Sequence, residues 1–512
     1  MPPSQNLHHP HTLVAMKSCV GLVELGSSSL RCCIAETDGR TIRLLEELEH
    51  HCLAGEDVFR AGKITANSME DAVQICKRLR QTLDTYQVTR IRAVASSTLG
   101  SSANGDILLE RIKAQTGIAF ELLDEQEEAR LLLVALRGAL RQRAKIGSTL
   151  AIDLSGSSAE LLSLEKGLLT QAASFGLGTL RLRVLLEDLP RKRRFEALQE
   201  HIHTHLRLAV THFPTKHFSR VVLAGRDAVQ IAQHFGHKPD KWGLCKISRE
   251  ELLQYARERF IEDPGHDTDT GLVAYGALLF AELLEILHLP FGWVPKVATR
   301  DGLLEELCDT SDRWLDTQLS RAVLNCVRKI GKRFQVEAAH AHHVAEISME
   351  LFDHLIDLHG MDSQDRLLLQ VAAELHEIGH FVNPRSHHKH SAYLIEACEI
   401  PGISKGEVRV AAQVARYHRR SSPKTGHPEF LSLPPEDRVR VRKLAALLRI
   451  ADSLDACHEQ EVELDGIDRS EGSLFLRCRG KSVMTLETLA LKTKSNLFQE
   501  TYGIAVKIVP QG

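Results

Sequence analysis

The sequence predicts a two-lobed α/β protein followed by an all-helical domain and a small C-terminal region that contains strands. Strands and helices alternate up to about residue 150, which is typical of α/β domains. The opening segment 20–39 then recurs in the same scheme at 149–167: apolar strand, acidic residue, Gly/Ser-rich turn, second strand, second turn. Such a duplication indicates two similar lobes with a site between them. After about residue 310 the apolar residues recur almost throughout at helical intervals, which predicts a nearly all-helical region.

The elements follow from local patterns. In the first lobe, Gly117 ends a predicted helix, because glycine readily adopts the left-handed conformation at a helix terminus. The predicted strands of this lobe lie in 20–36, 40–50, 91–97 and 119–124, and its helices in 69–86, 105–117 and 125–140. The second lobe has a predicted strand at 221–225 and helices at 227–236, 249–260 and 271–287. The predicted regions are a disordered tail at 1–17, lobe I at 18–148, lobe II at 149–310, a helical domain at 311–460, and a small C-terminal α/β region at 461–512.

The composition is that of a soluble globular chain. Of 512 residues, 43% are hydrophobic, and 64 basic against 67 acidic side chains leave a net charge of −3. This balance excludes a disordered scaffold, a collagen-like fibre and a general affinity for nucleic acid. Eleven scattered cysteines without a C-x-x-C pair favour buried thiols in a reducing compartment. With no apolar run of membrane-spanning length and no signal peptide, we expect a cytoplasmic protein that does not enter a membrane.

Two acidic Gly/Ser-rich turns are the strongest chemical signal. The first is Glu24 followed by Leu25, Gly26, Ser27, Ser28 and Ser29, and the second is Asp153 followed by Leu154, Ser155, Gly156, Ser157 and Ser158. Tight turns of this kind let backbone N–H groups and hydroxyls converge on an anion. A carboxylate at the strand end beside a phosphate can hold Mg²⁺ directly or through water. Glu24 and Asp153 are therefore the predicted metal-binding carboxylates.

With these turns, almost the whole chain from residue 18 resembles the exopolyphosphatase/guanosine pentaphosphate phosphatase (Ppx/GppA) family. The resembling segments are VELGSSS, SSTLGSSANGDILLERIKAQTGIAFELLDEQEEARLL, IDLSGSSAEL and FGLGTLRL, in the family's order. The resemblance implies an actin-like/Hsp70-like (ribonuclease H-like) fold, Mg²⁺ or Mn²⁺ as cofactor, and a homodimer. It implies that Glu128 is the general base for a water that attacks a terminal phosphate. We expect Glu160, two residues after Ser158, to be a further magnesium or water contact, and Glu127 to be solvated.

Several turns depart from the family's pattern. Glu24 stands where the family has aspartate, and Ser155-Gly156-Ser157-Ser158 stands in place of Gly-Gly-Gly-Ser. We expect serines to approach phosphate less closely and to adopt positive φ less freely than glycine. Gly100 replaces a common arginine, and two other turns read Ala224-Gly225-Arg226-Asp227 and Glu305-Glu306-Leu307. Arg226 could supply the missing guanidinium from the opposite side.

The helical region is rich in histidine, with ten of the chain's 27 histidines between His340 and His390. It resembles the HD-type domain of longer family members, which implies His340, His376, Glu377 and Asp452 as ligands of a divalent metal. Glutamate replaces the aspartate of the HD pair, so a helical module without metal is the alternative. Residues 376–380 also spell H-E-x-x-H, the zinc-protease motif, for which Glu396 or Glu399 could be a third ligand.

A basic strip lies in the same region. Between Arg409 and Arg449 there are ten Lys/Arg and three Asp/Glu. The residues expected to form a track for a polyanion are Arg416, His418, Arg419 and Arg420. A solvated helix face is the alternative.

Together these observations predict a phosphohydrolase that releases the terminal phosphate of inorganic polyphosphate or of pppGpp. The expected partners are polyphosphate or guanosine penta/tetraphosphate, with no specific nucleic acid. A weakened or inactive member that senses polyphosphate or nucleotide is the first alternative. Metal-dependent hydrolysis at the HD-like site is the second.

Overall fold

A computed structural model describes residues 18–38, 41–140, 147–213, 217–241, 243–262, 269–308, 313–419, 421–470, 472–480 and 484–511. The tail predicted at 1–17, and Arg420, lie outside the described residues. The strands are β1 Ser18–Leu25, β2 Ser29–Thr37, β3 Ile42–His51, β4 Arg90–Ala95, β5 Phe120–Leu122, β6 Ser148–Leu154, β7 Ala159–Glu165, β8 Leu168–Phe175, β9 Arg220–Leu223, β10 Leu244–Ser248, β11 Phe291–Pro295, β12 Glu463–Ser470, β13 Ser473–Arg479 and β14 Ala505–Pro510.

The helices of the α/β region are α1 Ala54–Ala61, α2 Ala66–Thr85, α3 Ser97–Gly100, α4 Gly105–Thr116, α5 Glu125–Leu140, α6 Thr179–Leu185, α7 Arg191–Thr211, α8 Arg226–His234, α9 Arg249–Glu262, α10 Asp269–Ile286 and α11 Thr299–Cys308. Those that follow are α12 Arg313–Arg333, α13 Ala338–His354, α14 Ile356–His359, α15 Ser363–Leu375, α16 His387–Ala397, α17 Lys405–Arg416, α18 Pro428–Leu431, α19 Pro435–Leu454, α20 Thr485–Lys494 and α21 Asn496–Tyr502, with a 3₁₀ turn at Ile378–Phe381. Gly117 ends α4 in the left-handed conformation at φ 71°, as predicted.

The two lobes repeat one sheet topology. The first sheet has the order β3-β2-β1-β4-β5, and the second has β10-β11-β9-β6-β7-β8, in which β8-β7-β6-β9-β11 follows the same scheme. In each lobe the first two strands form an antiparallel hairpin. The first strand of the hairpin also pairs in parallel with a later strand, β1 with β4 in lobe I and β6 with β9 in lobe II. The duplication predicted from the two acidic turns is therefore a duplication of the fold.

The lobes exchange one helix each. Helix α5 follows lobe I in sequence, but its apolar face, with Leu132 and Leu136, packs with Leu162 and Leu164 of β7 in the second lobe. Helix α11 ends lobe II, yet Leu303 packs against β1 and β4 of the first sheet. Each of these two helices buries apolar surface on the neighbouring lobe, and this burial stabilises the exchanged arrangement.

The helical domain and the C-terminal strands share one hydrophobic core. This core extends from Val323 on α12 to Ile504 just before β14, and it includes Leu474 and Leu476 of β13. The sheet β12-β13-β14 thus packs as part of the helical domain. Across the described ranges, every helix is too short or too polar to cross a bilayer.

Candidate active site and histidine cluster

The first acidic turn is a tight hairpin at the end of β1. The N–H of Gly26 donates to the carbonyl of Ser29 at 2.9 Å, and Leu25 pairs with Leu30. Two residues before the turn, Glu24 of β1 lies opposite Arg31 of β2. The hairpin therefore holds its serines at the edge of the first sheet.

The second turn repeats this construction in lobe II. The N–H of Ser155 donates to the carbonyl of Ser158 at 3.0 Å, and Asp153 lies opposite Glu160. The hydroxyl oxygen of Ser155 accepts the N–H groups of Ser157 at 3.2 Å and Ser158 at 3.0 Å. Positive φ is found at neither 26–29 nor 155–158, so these turns do not require the conformation that serine adopts less freely than glycine. The Ser155 hydroxyl instead occupies two backbone N–H groups that would otherwise be available to a phosphate.

The two turns face each other across one cleft. A β-carbon placed on Gly156 would lie 2.0 Å from Oγ of Ser27, so a side chain at this approach of the lobes would displace the Ser27 hydroxyl. The cleft encloses about 190 Å³. Its lining includes the predicted residues Glu24, Gly26, Ser27, Ser28, Ser29, Glu128, Asp153, Ser155, Gly156, Ser157 and Glu160. Ser158 is buried beside this lining, where its Oγ lies 3.1 Å from Oγ of Ser155.

Two carboxylates that end strands, Glu24 of β1 and Asp153 of β6, line the cleft. Burial raises the pKa of Glu24, although the nearby Arg31 and Arg300 oppose this effect. Burial also raises the pKa of Asp153, although the Thr299 hydroxyl donates to Asp153 Oδ2 at 2.5 Å. Oε2 of Glu24 is buried and has no hydrogen-bond partner among the described residues. Gly225, at φ 90°, approaches Asp153 so closely that a β-carbon would lie 2.3 Å from Oδ1. The site concentrates negative charge that a cation would stabilise.

Glu128 is buried in the first turn of α5 and lines the cleft. Asp124 caps this helix, since its Oδ1 accepts the N–H of Glu127 at 2.9 Å. Glu127 is not solvated as expected. It forms ion pairs with Arg130 at 2.7 Å and Arg92 at 3.5 Å, because α5 turns this side chain toward the arginines of lobe I.

Glu306, which the sequence predicted in a turn, lies within helix α11 and joins this ion-pair network. It pairs with Arg92 at 2.9 Å and also with Arg130. The carboxylate of Glu306 is thus neutralised outside the cleft lining, where it holds α11 to α5 and β4. Its role in this structure is to fix the exchanged helices.

Arginines line the cleft and are held by glutamates of β3. Arg226, at the start of α8, does reach the cleft from lobe II, and it pairs with Glu49 of lobe I at 2.6 Å. Arg31 also pairs with Glu49, at 2.8 Å, and Arg300 pairs with Glu47. These ion pairs place arginines at the cleft, but glutamates of β3 neutralise their charge. A substrate anion would have to compete with these glutamates for the arginine side chains.

Glu160 separates the cleft from a second cavity. Its Oε1 accepts the Ser174 hydroxyl at 2.7 Å. The second cavity, of about 300 Å³, lies between lobe II and the helical domain and is lined in part by Lys405 and Arg409. Glu160 thus faces the cleft as predicted, but it also reaches this cavity.

The predicted HD-like ligands fall into two groups of donors. His340, His376 and Asp452 are buried together: the Nε2 atoms lie 3.3 Å apart, and Oδ1 of Asp452 lies 3.7 and 3.9 Å from them. Glu377 groups instead with His380 and His387 on one side, and with His340 and His458 on the other. Lys494 contacts Asp452 Oδ2 at 2.5 Å. The four residues predicted from the sequence therefore do not form one closed set.

The H-E-x-x-H hypothesis is wrong for this chain. Helix α15 ends at Leu375, His376 is its C-terminal cap, and residues 378–381 form a 3₁₀ turn. A β-carbon on Gly379 would lie 2.1 Å from the carbonyl oxygen of His387, which shows how closely this turn packs on α16. The two histidines are thus not one turn apart on a continuous helix, as the protease motif requires.

The polyanion track is corrected at two positions. His418 is 2% exposed, and its Nε2 lies 3.2 Å from Nε2 of His387, so it belongs to the buried histidines. Arg416 is mostly buried and pairs with Glu429 at 3.2 Å. The burial of both side chains has one cause: the C-terminal end of α17 points into the helical domain. Arg419 is exposed.

Several cleft residues were missed by sequence reasoning. They are Arg31, Ser96, Thr179, Thr299 and Arg300. Ser96 comes directly after β4, whereas Thr299 is the first residue of α11. A polar residue directly after a buried strand is the signal that could have found Ser96.

The repeated topology and the cleft between facing turns define a two-lobed α/β protein of the actin-like class with a helical extension. The model of the Ppx/GppA phosphatase family matches residues 33–310, and that of Ppx/GppA phosphatase, domain III, matches 324–482. The chain belongs to the Ppx/GppA phosphatase family.

Curated relatives match it along most of their length. A guanosine-5′-triphosphate,3′-diphosphate pyrophosphatase of Aliivibrio fischeri is 21% identical over 88% of this chain and 88% of its own. The protein of that name from Vibrio campbellii is 22% identical over 91% and 94%. The crystal structure of an exopolyphosphatase from Cytophaga hutchinsonii covers 57% of this chain and 98% of its own, with 19% identity and a TM-score of 0.49.

Proposed function

We propose that this protein hydrolyses phosphoanhydrides and releases the terminal phosphate of pppGpp or of inorganic polyphosphate in the interlobe cleft. The observation that carries the proposal is the meeting of the two turns, where Ser27 contacts Gly156 beside the buried Glu128. Membership of the Ppx/GppA phosphatase family supports it. The names of the curated and solved relatives supply the two candidate substrates.

In this proposal the turns hold the phosphates and Glu128 acts on water. The carboxylate of Glu128 accepts a proton while the water oxygen bonds to the terminal phosphorus and the anhydride P–O bond breaks. The shortened chain leaves with the electron pair of that bond. The burial of Glu128 at the start of α5 fixes its position in the cleft.

The cleft carboxylates fit a hard divalent cation. Glu24 and Asp153 would hold Mg²⁺, or Mn²⁺, with Asp301 and Glu160 nearby to fix its water ligands. The buried Oε2 of Glu24 is the observation that supports this assignment. When bound, the ion neutralises charge on the transferred phosphate.

A second candidate is a sensor that binds the same ligands without rapid turnover. It is favoured by Ser155, whose hydroxyl already accepts the N–H groups of Ser157 and Ser158. Those N–H groups are donors that a phosphate would otherwise use. Hydrolysis at the HD-like site is less well supported, because Lys494 already contacts Asp452 there.

A paired assay tests the proposal. Phosphate release and equilibrium binding are measured for pppGpp, long-chain polyphosphate and tripolyphosphate, each with Mg²⁺ and with Mn²⁺. Turnover that depends on Glu128 supports hydrolysis in the cleft. Binding without turnover supports the sensor, and absence of both contradicts the proposal.

The eleven cysteines, none of which forms a disulfide in the described part of the chain, favour a reducing compartment, and we extend the proposal to the cytoplasm. The homodimer stays a prediction.

A further inference from the structure

A group of charged side chains joins the two lobes just outside the two turns. Here helix α1 of lobe I contacts helix α6 of lobe II. Arg183 of α6 pairs with Glu56 of α1. In the opposite direction, Arg60 of α1 pairs with Glu187 at 2.7 Å. We call this contact the α1–α6 seam, and it consists of Glu56, Phe59, Arg60, Arg181, Arg183 and Glu187.

Both helices of the seam are fixed to the turns. In the first helical turn of α1, a β-carbon on Gly55 would lie 2.2 Å from the carbonyl oxygen of Ser27. In α6, the backbone N–H groups of Leu180 and Arg181 each donate to the carbonyl of Gly156 at 3.0 Å. The seam therefore lies beside the place where the two turns meet.

Arg181 differs from the other two arginines of the seam. Its guanidinium lies over the ring of Phe59, with 5.0 Å from Cζ to the ring centroid, so this side chain crosses from lobe II to lobe I. Arg181 is exposed, and it forms no ion pair with any residue that the structure describes. Its positive charge is therefore available to an anion from solvent.

The charge of the seam favours an anion. Three arginines stand against two glutamates, and the side chains of Arg60 and Glu187 are 48% and 38% exposed. Ion pairs this exposed contribute little to stability, so a phosphate can replace Glu187 as the partner of Arg60. The planar guanidinium of arginine matches the geometry of phosphate oxygens.

The size of the cleft leaves part of a substrate outside it. The cleft encloses about 190 Å³, whereas pockets for ligands of drug size measure about 300–1,000 Å³. A substrate with several phosphates therefore extends beyond the turns. Thr179, the first residue of α6, lines the cleft two residues before Arg181. The seam is thus in reach of the phosphates that follow the terminal one.

We propose that Arg60, Arg181 and Arg183 form a subsite for the phosphates next to the one that is released. This inference rests on the proposed function, because it takes the terminal phosphate to lie between the turns. Arg181 binds the phosphate chain directly, and Arg60 exchanges Glu187 for it. Since the arginines come from both lobes, a bound chain also holds the lobes together.

The test compares a ligand that reaches the seam with one that does not. Calorimetric titration with Mg²⁺ measures the Kd of tripolyphosphate and of orthophosphate, which occupies the turns alone. The parent protein carries Glu128→Gln, so that the ligand is not consumed. Arg181→Gln and Arg60→Gln should each weaken tripolyphosphate binding by about tenfold or more, the equivalent of a charge-assisted hydrogen bond, and leave orthophosphate binding unchanged.

Two further variants are controls for charge and for folding. Arg181→Lys keeps the charge and should lose less affinity than Arg181→Gln. Arg207→Gln makes the same change of charge on the exposed face of α7 in lobe II and should leave both Kd values unchanged. An unchanged Tm shows that each variant is folded.

Glu187→Gln separates a subsite from a contact that only holds the lobes closed. In a subsite, loss of the competing carboxylate frees Arg60, and tripolyphosphate affinity should rise about threefold. If the ion pairs only held the lobes together, Glu187→Gln would weaken binding as Arg60→Gln does. Weaker binding in both variants would therefore overturn the proposal.

An unchanged tripolyphosphate Kd in folded Arg181→Gln and Arg60→Gln would also overturn it. Phosphate release by the wild-type chain together with this result would contradict the subsite and leave the proposed function intact. Absence of release by the wild-type chain would contradict the proposed function, whereas the titrations would still decide the subsite.

Discussion

The backbone N–H of Lys405 donates a hydrogen bond to Oδ2 of Asp124 at 2.8 Å. The other oxygen of Asp124 caps α5, the helix whose first turn carries Glu128. One carboxylate therefore connects the helical domain to the helix of the candidate base. The helical domain thus helps to set the position of that base.

Removal of this carboxylate should affect both stability and turnover. We expect Asp124→Ala to cost about 1 kcal/mol from the lost cap, with a measurable fall in Tm. Turnover should fall several-fold with a smaller change in KM, because Glu128 loses its support. Asp106→Ala, at an exposed first-turn acid of α4, is the control. Unchanged turnover in Asp124→Ala would show that the contact does not position Glu128.

The candidate base itself has a sharper test. Glu128→Gln removes the negative charge at nearly constant shape, so the fold and substrate binding should persist. Turnover should fall by roughly 10²–10⁴-fold, the usual range for lost general-base help. Glu110→Gln, on the exposed face of α4, should behave as wild type. Retention of more than half of the wild-type turnover in Glu128→Gln would show that another group activates the water.

The close approach of the turns predicts a steric effect. In Gly156→Ala the new methyl group must push Ser27 away, because only 2.0 Å is available to its Oγ. We expect substrate affinity to fall about tenfold or more with little change in Tm. Adding Ser27→Ala removes the clashing oxygen and should restore part of the affinity. Equal losses of stability and affinity, without rescue in the double variant, would make Gly156 a folding residue only.

The second turn predicts a gain of binding. Ser155→Gly removes the hydroxyl that accepts the N–H groups of Ser157 and Ser158. These donors then become available to phosphate, and affinity should rise about 3- to 10-fold, the equivalent of one hydrogen bond. Calorimetric titration with tripolyphosphate and Mg²⁺ measures it. Weaker binding would mean that the serine hydroxyls organise the turn for phosphate.

The basic strip predicts a dependence on substrate length. Arg419 is exposed, whereas Arg416 is paired with Glu429. Arg419→Gln should therefore raise KM for long polyphosphate and leave tripolyphosphate unaffected, and Arg416→Gln should have the smaller effect. The salt dependence of KM should fall by about one unit of slope for each lost contact. Equal effects on long and short substrates would exclude a track.

Local signals made the two turns predictable, because a hairpin and its acidic residue lie within six residues of sequence. The same holds for Gly117, whose left-handed conformation ends α4 as expected. The partners of the cleft arginines were not predictable: Glu49 and Arg226 are 177 residues apart and meet only when the lobes close on each other. Their contact depends on the relative placement of two sheets, which periodicity does not encode.

The histidines illustrate the same limit. The density of histidine correctly indicated a cluster, and His340, His376 and Asp452 do meet. His418 was assigned to the surface because arginines flank it in sequence. The end of α17 instead directs its ring inward, toward His387. Charge of sequence neighbours says little about burial where a helix ends.

The exchange of α5 and α11 has a consequence for biosynthesis. One face of the first sheet, the face that carries Leu22 and Val94, is not fully covered until Leu303 has left the ribosome, although the strands of that sheet are complete by Leu122. At 5–20 residues per second this leaves apolar surface waiting for on the order of ten to thirty seconds. A truncated chain that ends near residue 148 would carry this exposed surface permanently. We expect it to require a chaperone or to aggregate, whereas a chain that ends after α11 encloses both lobes.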